Sequence, residues 1–216
     1  MLYHLGLEVV EGKVRVSVKS LVIWEIGQSS RSRSSLAAIE NTLAFTTDNQ
    51  PYSVTLEGEA TPLPPFEVAV SEIRVWEGRR GMQMGVCLPG LNEIRIGTVP
   101  AGAESEWSTF LISSVGPRLG PGQGFLFNPT SFDVGPDGRI YVLDAGNSRI
   151  VVFDQGRRQY ITQWGRQGSG PGEFNFGQGA PAPGGGLDFV GSIAVDDQGF
   201  IYVADELNKR IQKFAP

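Results

Sequence analysis

With 18 basic against 23 acidic side chains, this chain of 216 residues carries a net charge of -5, which argues against nucleic-acid binding: a phosphate backbone is repelled unless basic residues cluster. The pairs Arg31/Arg33, Arg79-Arg80 and Arg157-Arg158 are scattered rather than aligned in a stripe. A single cysteine, Cys87, excludes an intramolecular disulfide, and 29 Gly with 14 Pro predict many short strands joined by tight turns.

From the start, Met1 to Val10 shows no basic region followed by an apolar run, so no signal peptide is visible; the expectation is either a cytoplasmic protein or, if a leader has been removed, a periplasmic or extracellular one. Val14, Val16 and Val18 alternate with Lys13, Arg15, Ser17 and Lys19, predicting a half-buried strand paired with Leu5 to Val10 across Glu11-Gly12. Leu21 to Ile26 is too short for a membrane span and carries Glu25; no other stretch reaches about 20 apolar residues, so a soluble chain is expected. Ser34 to Leu43, with a Ser cap and Leu36, Ile39 and Leu43 at helical spacing, predicts a helix of two or three turns. Tyr52, Val54 and Leu56 alternate as a strand, and Thr61-Pro-Leu-Pro-Pro65 reads as a stiff connector. Phe66, Val68 and Val70 alternate again, and the phase shift to Ile73 and Val75 predicts a bulge. Cys87, between Val86 and Leu88, reads as a buried small hydrophobe.

The C-terminal half repeats itself. Ser131 to Phe153 aligns without a gap on Ser192 to Phe214, and Gly138/Gly199, Ile140/Ile201, Tyr141/Tyr202, Val142/Val203, Asp144/Asp205, Asn147/Asn208, Arg149/Arg210, Ile150/Ile211 and Phe153/Phe214 are identical pairs. Upstream, Gly120-Pro-Gly-Gln-Gly-Phe125 echoes Gly170-Pro-Gly-Glu-Phe174. In the first unit, residues 131 to 134 form strand a, Gly135-Pro-Asp-Gly138 turns the chain, and Ile140 to Leu143 return as strand b. Asp144-Ala-Gly-Asn147 turns it again with side chains suited to bonding nearby amides, Arg149 to Asp154 form strand c, and Tyr160 to Trp164 supply strand d. The repeated apolar positions Ile140, Val142, Ile150, Ile201, Val203 and Ile211 are the expected core.

Over about residues 118 to 216 this module resembles the blade of an NHL-repeat β-propeller. The resemblance implies an all-β fold of four-stranded antiparallel blades, with Asp144/Arg149 and Asp205/Arg210 bracing the b to c turns rather than performing catalysis. Residues 116-216 then make two blades. Residues 1-115 are a β-rich region, either degenerate blades or a separate small domain; Asn92 to Ile96 and Trp107 to Ser113 can be laid over strands c and d of a blade spanning 66 to 115. Propellers close with four to eight blades, so a chain of this length supplies about four or five, and closure by another segment or chain is open. An uncovered edge after Phe214 would invite pairing, so the edge is expected to be covered.

The resemblance also raises metal-assisted lyases and RNA binders, which share this architecture. His4 is the one histidine, which argues against a His-built metal site; Asp196-Asp197 reads as a solvated turn, and Gly184-Gly-Gly186 lacks the Lys and helix of a phosphate cradle. No catalytic residue, cofactor or metal is therefore assigned. Trp24, Trp76, Trp107 and Trp164 are raw material for a carbohydrate surface, with core packing the competing use. The expectation is a non-catalytic scaffold or accessory subunit that binds another protein or itself, the alternative being a propeller enzyme or small-ligand or carbohydrate binder with an axial or top-face site. In an antiparallel blade the b to c turns and the passages from strand d to the next strand a emerge at one end. The candidate partner-binding face is accordingly Asn147, Ser148, Asn208 and Lys209 with Gly179 and Pro181 in the Gly177 to Phe189 insertion.

Overall fold

A computed structural model describes residues 2–10, 13–22, 34–39, 42–47, 50–54, 60–63, 65–78, 81–98, 108–111, 125–156, 159–179 and 189–216. The chain divides into two compact units, Met1–Arg31 and Ser32–Pro216. The first is the expected hairpin: β1 (Leu2–Val10) pairs antiparallel with β2 (Lys13–Val22), Val10 opposite Lys13, with a register shift between His4 and Leu5.

The second unit consists, among the described residues, of successive antiparallel sheets, each with its strands in chain order. The first sheet contains β3 (Ser34–Ile39), β4 (Thr42–Thr47), β5 (Gln50–Val54) and β6 (Ala60–Pro62). The second contains β7 (Glu72–Gly78), β8 (Gly81–Leu88), β9 (Glu93–Thr98) and β10 (Ser108–Leu111). The third contains β11 (Ser131–Val134), β12 (Arg139–Asp144), β13 (Arg149–Asp154) and β14 (Gln159–Trp164). The last contains β15 (Ser192–Val195), β16 (Ile201–Asp205) and β17 (Arg210–Phe214). This is an all-β, propeller-like succession of antiparallel blades.

The strand positions read from the repeat hold closely in the third sheet. Gly138 sits at φ 76°, donates to Gly135 O at 2.9 Å, and lets the Gly135 amide close the hairpin on Arg139 O. The first strands of consecutive sheets lie together, β11 between β7 and β15, and the cores form where sheet faces meet. Between the second and third sheets lie Cys87, Ile94, Phe132, Ile140, Val142 and Val151. Between the third and the last lie Tyr141, Leu143, Ile150, Val152, Phe174, Phe176, Ile193, Ile201 and Val203. Because side chains alternate along a strand, Ile150 and Val151 serve opposite cores.

Four local expectations are corrected. The Ser34–Leu43 helix does not form: β3 and β4 pair instead, Ile39 opposite Thr42 and the buried Ala37 opposite the buried Ala44. The apolar residues matched a helical period by coincidence, and pairing into a sheet that packs on β7 outweighs the weak local preference. The Pro-rich connector is partly a strand, since β6 includes Thr61 and Pro62 and the next residue, Leu63, is buried. A proline is tolerated there because β6 is the last strand of its sheet. Phe66 to Val70 is not a strand, and the phase shift marks the start of β7 rather than a bulge; Phe66 and Val70 are nonetheless buried, as the lead into the second sheet. Finally, Ile211 is 72% exposed, whereas its repeat equivalent Ile150 is 0% exposed. Ile150 is roofed by the last sheet, and nothing among the described residues roofs Ile211.

Candidate interaction face

At one end of the second, third and last sheets the connection from strand b to strand c is a single 3₁₀ turn: Pro89–Leu91, Ala145–Asn147 and Glu206–Asn208. Each closes on a non-glycine residue in the left-handed region, Asn92 (φ 57°), Ser148 (φ 51°) and Lys209 (φ 54°), whose amide bonds back to the first residue of the turn. That conformation is uncommon without glycine and is held here by its surroundings.

In the third and last sheets a buried carboxylate braces the turn. Asp144 Oδ2 accepts from Arg149 Nε at 2.7 Å and Asn147 Nδ2 at 2.8 Å, while Oδ1 accepts from the Phe127 amide at 2.6 Å. Arg149 also reaches Phe125 O, so the set clamps the segment leading into the blade as well as bracing its own turn. The last sheet repeats the arrangement. Asp205 accepts from Arg210 Nε (2.8 Å), Asn208 Nδ2 and the Asn175 amide (2.8 Å), and Arg210 donates to Ser169, Gly170 and Glu173 carbonyls. The Gly-Pro-Gly lead is therefore the carbonyl-rich strap that the arginine grips. In the second sheet Leu88 and Glu93 occupy the Asp and Arg positions; Leu88 is buried and Glu93 pairs with Arg95 at 3.0 Å.

The two carboxylates differ electrostatically. Burial pushes Asp144 above the usual carboxylate range despite its bonds. Burial pushes Asp205 the same way, but bonds from the Asn175 amide, Asn208 and Arg210 outweigh it and hold Asp205 below that range.

The sequence-predicted face residues have distinct fates. Asn147 and Asn208 are half-buried and spent on Asp144, Asp205 and Gly168 O; Ser148 is buried; Lys209 is exposed. Gly179 is half-buried at φ 68°, and Pro181 lies outside the described residues, as do Arg157 and Arg158. The Gly177 to Phe189 insertion is pinned at both ends: the Val190 amide donates to Phe176 O at 2.8 Å, and Phe189 is buried edge-on against Phe127. Its exit meets the last turn, where the Gly191 amide donates to Glu206 Oε1.

Sequence reasoning missed Leu207. It occupies the position of Gly146, where a Cβ would strike the Phe127 ring and carbonyl, yet in the last turn the leucine is 52% exposed. Comparing the two repeats at this position would have shown the glycine replaced by a large apolar residue. Of the tryptophans, Trp76 packs on Phe132 and Trp164 on Phe214; Trp24 and Trp107 lie outside the described residues. Asp196 accepts from the Gln198 and Phe200 amides and the Tyr202 hydroxyl, organising its own turn.

Comparison with known proteins agrees with this geometry. NHL repeat-containing protein 3 of Homo sapiens is 32% identical over 106 residues, 44% of this chain and 26% of that protein. A protein of unknown function from Bacteroides thetaiotaomicron has a similar crystal structure (TM-score 0.60, 17% identity, 84% of this chain and 46% of that one). Virginiamycin B lyase from Staphylococcus aureus follows at TM-score 0.50 and 14% identity, over 88% of this chain and 57% of the lyase. The chain thus spans about a quarter of the human relative and roughly half of each solved structure, and at these identities the structures bear on fold alone. The NHL repeat model matches residues 128–153 and 187–214, the two segments that hold the Asp, Asn and Arg of the turn clamps: this chain carries two NHL repeats in a propeller-type fold.

Proposed function

We propose that the chain is a non-catalytic, protein-binding module, and that its partner engages the end bearing the last b to c turn and the Gly177 to Phe189 insertion. The observation that carries this reading is Leu207: a large apolar side chain is exposed at the tip of a turn that Asp205, Asn208 and Arg210 hold rigidly. Exposed apolar groups on a fixed scaffold, flanked here by Glu206 and Lys209, are characteristic of interface anchors. The repeated Asp, Asn and Arg groups nearby support the same reading, because their donors and acceptors are used in holding the fold.

The test uses a partner that co-purifies with the native protein and is identified by mass spectrometry. Association is measured with both components purified, for the unaltered chain, Leu207→Asp, and a deletion of Gly179 to Gly185, with circular dichroism as the control for folding. Folding retained with association lost supports the assignment. Unchanged association in both variants overturns it and moves the search to the opposite end, around Asp137.

A further inference from the structure

The first strands of three consecutive sheets are tied together by side chains rather than by strand pairing. Glu72 on β7 accepts the Phe132 amide of β11 at 2.9 Å, Ser131 of β11 accepts the Ile193 amide of β15 at 3.0 Å, and Asp133 accepts the Val195 amide at 2.8 Å. Each sheet thereby satisfies main-chain donors on the edge strand of the next. Two of these acceptors are carboxylates, and one guanidinium serves both. Arg74 Nη2 lies 2.5 Å from Glu72 Oε1, and Arg74 Nε lies 3.6 Å from Asp133 Oδ1. The side chains of Glu72, Asp133 and Arg74 are 11%, 21% and 27% exposed.

This half-buried trio carries one negative charge too many. Around it, among the described residues, stand the Ser131 hydroxyl on β11, which bonds Glu72, the Cys87 thiol on β8 and, opposite Asp133 on β12, the Tyr141 phenol, the last two held neutral by burial. None of them supplies a second cation. We propose that Glu72, Arg74 and Asp133 form a proton-operated coupling between the second and third sheets, in which one proton on Glu72 transfers Arg74 from its own strand to Asp133 of the neighbouring sheet. The proton goes to Oε1, because Oε2 is held as an acceptor by the Phe132 amide. The neutral carboxyl no longer attracts the guanidinium, and Arg74 closes on Asp133 Oδ1. The inter-sheet bond to Phe132 survives and an inter-sheet ion pair is gained. Burial raises both carboxyls above the usual range, in keeping with uptake of the proton before ordinary surface carboxylates titrate.

The linkage follows from that direction. A carboxyl raised in the folded state costs stability when ionised, and the cost is relieved as pH falls through the folded value toward the unfolded one, about pH 4. Glu72→Gln, a mimic of the protonated state, is expected to raise the thermal midpoint at pH 7.5, with the difference from the unaltered chain shrinking to nothing by about pH 4. The Glu72 carboxyl carbon, followed by NMR in the unaltered protein, is expected to titrate above a model glutamate. In Asp133→Asn it is expected to titrate lower, because the repelling carboxylate is gone and Arg74 stays with Glu72. A midpoint difference independent of pH, a Glu72 titration at or below the model value, or one that Asp133→Asn leaves in place, would each overturn the coupling. The carbon titration stands on its own if Glu72→Gln does not fold.

Discussion

Ile150 and Ile211 occupy the same position of the two repeats, so any difference in the cost of truncating them comes from tertiary packing and not from local sequence. Ile150 is 0% exposed, in one buried cluster with Leu143, Val152, Phe174, Phe176 and Val203, while Ile211 is 72% exposed. Replacing isoleucine by alanine removes three carbons, each worth about 0.8 kcal/mol when buried, or about 2.4 kcal/mol before the unfilled cavity is counted. With the cavity term, Ile150→Ala is expected to cost about 2–5 kcal/mol. That corresponds to a fall in thermal midpoint of roughly 5–15 °C at this chain length. Ile211→Ala is expected to change stability by less than about 0.5 kcal/mol, as for other surface substitutions. The assay is thermal unfolding followed by circular dichroism and repeated by guanidinium titration, on material shown to be monomeric by light scattering, since a neighbour seated on β17 would bury Ile211. Equal losses at the two sites, large or small, would refute the argument that each blade face is made a core by the sheet that follows it. Ile201→Ala, at a buried position of the last sheet, is the internal standard and belongs with Ile150.

Arg149→Ala, which strands the fully buried Asp144, is expected to cost about 3–5 kcal/mol, and Arg210→Ala clearly less, because the Arg210 side chain is 29% exposed and water can replace part of the pair; the same denaturation assay compares them. Asp205 is held below the usual carboxylate range, so its contribution to stability is complete above the unfolded value of about pH 4 and is lost as pH falls through the folded one. A stability profile in which Asp205→Asn leaves the acid limb unchanged would contradict that sign. Amide hydrogen exchange tests the edge at β17, which pairs with β16 on one side among the described residues. If another strand covers that edge in the intact protein, amides of Arg210 to Phe214 are protected on both sides, whereas exchange as fast as a frayed terminus would show it open.

Several features were legible in the residues because they are local or repeated. The Val14-Val16-Val18 alternation marked β2, the Gly135 to Gly138 turn fixed the hairpin of β11 and β12, and the identical Asp, Asn and Arg of the two units marked the turn clamp. Each depends on a neighbour a few residues away or on a second copy for comparison. Ser34 to Leu43 was misread for the opposite reason. Its apolar spacing suits a helix as well as a hairpin, and the choice was made by pairing and by packing on β7.

For the candidate face, the sequence located the turns and the insertion but not which of their side chains are available. Asn147, Ser148 and Asn208 look polar and free on paper, yet Asn147 is spent on Asp144, Ser148 is buried, and Asn208 is spent on Asp205 and on Gly168 O, 40 residues away. The amino-acid sequence by itself determined the strand periodicity, the tight turns and the repeat, since these follow from backbone sterics and side-chain alternation. Only the tertiary structure decided that Ile150 is core and Ile211 surface, that Leu207 is exposed where Gly146 is hemmed in by Phe127, and that Glu72, Arg74 and Asp133 share one site across two sheets. The physical reason is that burial and charge pairing are set by which sheet lies against which, and that relation is absent from the order of residues along any single strand.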